Sequence, residues 1–177
     1  MGVWGIGTFD NDDAVNWAHL LSQSTSTLLL VATLEAVSGH QRYVEAPGCS
    51  MALAAAEVVA ALRGSPDPTL PANVRRWVAR NPVAVDVDLL MLARSAIERI
   101  RRVSGLNELW RETEDYGDWQ SLLENLLRRL GVSGCAWRTE AAAVEFGSTP
   151  VHGRLRRARS CRNADHRIHL QRRRPVP

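Results

Sequence analysis

Lysine is absent from the chain: all 22 basic side chains in its 177 residues are arginine. Exposed positions accept either cation, so the bias reflects codon usage in a GC-rich genome and carries no structural demand. No apolar run approaches the roughly 20 residues of a membrane span, and the start has no basic region followed by an apolar one. A membrane helix and a secretory leader are therefore not expected, and a cytoplasmic location is. Met1-Gly2 opens like a myristoylation signal, but Ile6 stands where Ser or Thr is required. The three cysteines, Cys49, Cys135 and Cys161, are odd in number and lack a CxxC pair, which fits reduced thiols rather than a disulfide framework. No segment alternates with period two over a strand's length. With strands excluded, the class is all-α.

What is present is helical periodicity. Asp10 to Asp13 supply caps and negative charge ahead of a helix over about 12–23, with Ala14, Trp17, Ala18 and Leu21 on one face. Ser24 to Thr27 precede a second helix that runs to Gly39. HQRYVEAPG reads as a connector before an Ala-rich third helix from Cys49, ended by Gly64. The three prolines of SPDPTLP exclude helix there, and Pro71 is expected at the first position of a fourth helix, ANVRRWVAR, which stops before Pro82. A fifth helix carries Leu89, Leu92, Ala93, Ala96, Ile97 and Ile100 as its stripe, with acids at its start and arginines at its end. After Gly105 come a short LNELWRE helix and a last one, DWQSLLENLLRRL, closed by Gly131. The expectation is a compact single-domain bundle of about six to seven short helices over 1–131.

The net charge of +3 averages two unlike segments. Residues 1–132 hold 12 Arg against 16 acids, a balance of −4, and residues 133–177 hold 10 Arg against 3 acids, a balance of +7. The 132–177 tract is Arg-rich and of low complexity, so disorder is expected there. Its composition is what out-of-frame translation of a GC-rich gene yields. A nucleic-acid-binding arm is the weaker reading, because the tract lacks Lys and interleaved aromatics. His166 and His169 are the only close pair among its cysteines and histidines, too few for a structural zinc site, and no metal or cofactor is expected.

The opening, MGVWGIGTFDNDDAVNW, is the most idiosyncratic stretch. Glycines at 2, 5 and 7 permit positive φ and close backbone approach, while Trp4 and Phe9 carry large buriable area, so an N-terminal plug is expected. Gly5-x-Gly7 is no dinucleotide fingerprint, since no strand precedes it and a third glycine is missing. DNDD fails as a calcium loop, because Val15 and Leu21 occupy the positions of the required Gly and Glu.

MGxWGxGxFDNDxAxxW, together with YVEAP at Tyr43 to Pro47, ALAAAEVVAALRGSPDPTLP, WVARNP, LNELW and DWQSLLENLL, resembles the domain of unknown function 4259 family of bacterial proteins over about 1–131. The resemblance implies a compact helical domain and brings no established activity, substrate or catalytic residues.

Among single residues Glu57 stands out, a carboxylate with Leu53, Ala54, Ala60 and Ala61 at its i±3 and i±4 positions and so on an apolar face. Either it accepts hydrogen bonds from loop amides or an arginine and fixes packing, or it acts as a base in a pocket that also holds Glu45 or Tyr43. No catalytic motif is found, and an enzyme is not expected. The leading expectation is a protein-binding module, immunity- or antitoxin-like, whose acidic surface steers a basic partner. Trp4, Asp10, Asp12, Glu45 and Glu57 are its candidate binding residues.

Overall fold

The structure is a computed structural model that describes residues 5–39 and 43–131. Among these residues are seven helices and no strand. The chain divides into two units, Met1–Cys135 and Ala136–Pro177. Trp4, His40 and the Arg-rich tract with its histidines lie outside the described residues.

Helix α1 (Asp12–Gln23) is capped by Asn11, whose Oδ1 accepts the Ala14 N–H at 2.8 Å, and Asp12 and Asp13 complement the dipole in its first turn. Its buried residues are the four that the periodicity marks. Helix α2 (Leu28–Ser38) buries Leu30, Leu34 and Val37. The α1–α2 corner is tied down by Trp77 Nε1, which donates to the Ser24 carbonyl at 2.8 Å.

Helix α3 (Ala46–Leu62) is the axis of the fold and contacts every other helix. Twelve of its residues between Cys49 and Ala61 are buried, as befits a helix apolar on all sides, and its alanines let neighbours approach closely. It starts earlier than the sequence suggests. Pro47 lies in its first turn, where a missing N–H costs nothing. It ends in a Schellman turn: Gly64 has φ +83, its N–H reaches the Ala61 carbonyl, and Ser65 N–H reaches that of Ala60.

Helix α4 (Ala72–Arg80) buries Val74 and Trp77. Pro71 is its cap residue, with extended ψ of 145, and not its first helical residue. Helix α5 (Val87–Arg102) is capped by Asp86 on Leu89 N–H, and it buries Ala93, Ala96, Ile97 and Ile100 with Leu89 and Leu92 at the margin. Helix α6 (Gly105–Arg111) begins at the glycine itself, one residue before the expected LNELWRE start. The Gly105 N–H donates to the Val44 carbonyl at 2.9 Å, and a Cβ there would sit 3.0 Å from Tyr43 Oη and 3.1 Å from Ala46 N, so a larger residue would push the two segments apart. Helix α7 (Tyr116–Arg129) buries Trp119, Leu123 and Leu126, and Trp119 stacks on Trp110 of α6 at 6.1 Å between centroids. Gly131, at φ +80, ends it.

Candidate functional site

Residues 5–10 form a partly buried strap beside α3, α6 and α7, and Trp4, on which the expected plug turns, lies outside the described residues. Asp10 organises it. Its Oδ2 accepts the Gly7 N–H at 3.0 Å, while its own N–H donates to the Gly7 carbonyl at 2.9 Å. A Cβ on Gly5 or Gly7 would lie 2.5 or 2.6 Å from Asp10 Oδ2. The glycines are therefore needed to let a carboxylate in. Positive φ, the other expected reason, occurs among the described glycines only at Gly64 and Gly131.

Between this strap and the α3–α4 loop lies a cleft of about 320 Å³. Its walls carry Thr8, Asp10, Glu57, Asp67 and Thr69 beside apolar Ile6, Phe9 and Leu122. Glu57 is 2% exposed. Arg129 comes across from α7 and takes both its oxygens, Nη1 to Oε2 at 2.7 Å and Nη2 to Oε1 at 2.6 Å. The same guanidinium stands 3.5 Å from Asp67 Oδ2, donates from Nη1 to the Ser65 carbonyl and from Nε to Asn125 Oδ1. Four of its five N–H groups are thereby hydrogen-bonded, and Nη2 also faces Asp67 as an ion pair.

Burial pushes the Glu57 carboxyl above the usual carboxylate range, against the opposing pull of Arg129 and the Thr8 hydroxyl. Burial also pushes Asp67 up, but there the Thr69 hydroxyl and amide, with Arg129, outweigh it and hold the carboxyl below its ordinary value. Arg129, disfavoured by burial, is held more firmly protonated by Glu57 and Asp67. A bidentate pair of this kind orients and neutralises a carboxylate. It leaves Glu57 poorly placed to abstract a proton.

Residues 2–122 match the family model described as Domain of unknown function (DUF4259). The chain belongs to that family. No curated protein and no solved structure matches it. The matched segment of this DUF4259 domain contains the strap, Glu57 and Asp67 and stops within α7, short of Arg129.

Of the candidate residues read from the sequence, Asp10 and Glu57 meet in the cleft. Asp12 is exposed in the first turn of α1, and Glu45 is exposed at the start of α3. Neither Glu45 nor Tyr43 joins Glu57, because Tyr43 Oη donates instead to Glu108 Oε2 at 2.6 Å. Sequence reasoning missed Arg129, Asp67, Thr8 and Thr69. Asp67-x-Thr69 had a local signal, an Asp whose Oδ1 accepts the Thr69 N–H at 2.8 Å inside a proline-rich turn. Arg129 had none beyond the general rule that a buried carboxylate needs a cation.

Proposed function

We propose that this DUF4259 domain is a protein-binding module that docks a basic partner, the chemistry of an immunity- or antitoxin-like protein set against a basic toxin. The observation that carries this reading is the elbow from α6 into α7. Glu108, Glu112, Glu114, Asp115 and Asp118 are all exposed there, with Arg111 as the one cation within that stretch. Leu109, 54% exposed, sits among them as an apolar contact. The Trp110–Trp119 stack beneath holds the elbow in shape. A predominantly acidic surface on a rigid support steers a basic protein and raises its association rate, with a steep dependence on salt.

The test is co-purification from the native host at native expression, followed by association kinetics with the recovered partner. The Glu112→Lys/Asp118→Lys variant is expected to slow association by about tenfold at low salt, with little effect on dissociation. Recovery of the domain alone, or an unchanged rate for the variant, overturns the reading.

A further inference from the structure

The cleft beside the strap has a polarity that the docking surface does not account for. The donors that meet its carboxylates are engaged with them. Thr69 Oγ1 donates to Asp67 Oδ1 at 2.6 Å, Gly7 N–H goes to Asp10, and Arg129 is bidentate on Glu57 and 3.5 Å from Asp67. What remains is acceptor capacity. A carboxylate has about four acceptor sites, and among the described residues Asp10 receives the Gly7 N–H alone. The cleft thus presents three carboxylates, with one guanidinium behind two of them.

Two features separate it from a patch of surface acids. It is a cavity of about 320 Å³, the lower end of the size of small-ligand pockets. Its walls are also half apolar, with Ile6, Phe9 and Leu122 beside the carboxylates, so an ion alone would leave them unpaired. A hydrated inorganic cation gains nothing from such walls. A ligand with a donor-rich positive head and a short hydrocarbon body fits both halves.

We propose that this cleft binds a small organic cation, an ammonium or guanidinium group on a short aliphatic body, with the head between Asp10 and Asp67 and the body against Ile6, Phe9 and Leu122. The site is independent of the acidic elbow.

The experiment is titration of the ¹⁵N-labelled full chain with n-butylguanidinium, and with n-butylurea as its uncharged isostere. The expected result is saturable shifts at residues 6–10, 67–69 and 122 with a dissociation constant of about a millimolar, as suits so small a probe. The urea is expected to bind about tenfold more weakly or worse, since hydrogen bonds to charged groups are the stronger ones. Asp67→Asn and Asp10→Asn, which keep an acceptor oxygen in place, should each weaken the guanidinium about tenfold. Glu112→Lys/Asp118→Lys should leave its binding unchanged. Equal binding of the urea, shifts confined to 108–118, no saturable shift, or full affinity in both Asn variants, each still folded at the temperature of the titration, overturns the proposal.

Discussion

Arg129 and Glu57 lie 72 positions apart in the chain and meet through two hydrogen bonds of 2.7 and 2.6 Å, one to each carboxylate oxygen. The pair stitches α7 to the central helix. Removing either partner leaves an uncompensated charge, whereas replacing both with apolar groups of like size leaves none. Glu57→Ala should cost about 3–5 kcal/mol, and Arg129→Ala, whose side chain keeps 16% exposure, the lower end of that range. Glu57→Leu/Arg129→Met should return to within about 1 kcal/mol of the wild type. Urea denaturation of the four proteins decides it. A double variant as unstable as the sum of the singles would mean that the pair's worth is not electrostatic.

Asp67 gives the network a pH dependence. Its carboxyl lies below the ordinary 3.8, so its charge contributes stability above that pH, and the contribution is lost as pH falls through the folded value. Glu57 runs the other way: raised above 4.5, its contribution is present below that pH and lost on rising through the folded value. Asp67→Asn isolates the first effect. The stability gap between wild type and variant should be about 1 kcal/mol at neutral pH and close as pH drops below 3.8. A gap that stays constant with pH would place the loss in packing.

Helix positions were legible because each depends on neighbours in sequence. The stripes on α1 and α5 and the glycine stop of α3 are local facts, and the structure repeats them. What failed was long-range. The need for glycine at 105 shows only when Tyr43 and Val44 are brought against it, and nothing near it in sequence announces them. The position of Glu57 on an apolar face was legible, but which of 12 arginines would answer it was not, since any arginine on a facing helix satisfies the same rule. Asp10 looked like one cap among four acidic or amide residues, yet Asn11 caps the helix and Asp10 turns back to the glycines.

That turn predicts a coupling. Gly7→Ala would bring a Cβ within 2.6 Å of Asp10 Oδ2, and the carboxylate can yield only by giving up the Gly7 N–H. The variant should lose about 1–3 kcal/mol, as overpacked sites do. In an Asp10→Ala background the same change should cost less by about 1 kcal/mol or more, because the clash is gone. Additive losses in thermal or urea melts would show that the alanine is resisted by something other than Asp10.

Tyr43 offers a spectroscopic reading of the tie between the α2–α3 connection and α6. Its hydroxyl donates to Glu108 at 2.6 Å, and that bond, with the charge behind it, raises the phenol from 10.0 to about 12. Ultraviolet titration should show one tyrosine ionising near 12 in the wild type and shifted down toward 10.0 in Glu108→Gln. An unchanged titration in the variant would mean that the bond is not kept in solution.

Trp77 separates packing from hydrogen bonding at the α1–α2 corner. The side chain is fully buried, and its Nε1 is the donor that the Ser24 carbonyl accepts at 2.8 Å. Trp77→Ala forfeits both the buried area and the bond and should cost about 3–5 kcal/mol. Trp77→Phe keeps most of the area but leaves the carbonyl without its donor, for a loss of about 1–3 kcal/mol. The two losses should differ in place as well as size. With Phe, amide exchange should quicken mainly between Ser24 and Leu28, where the chain turns from α1 into α2, because helix packing elsewhere is retained. A Phe variant as stable as wild type, with exchange unchanged in that turn, would show that the indole acts there by volume alone.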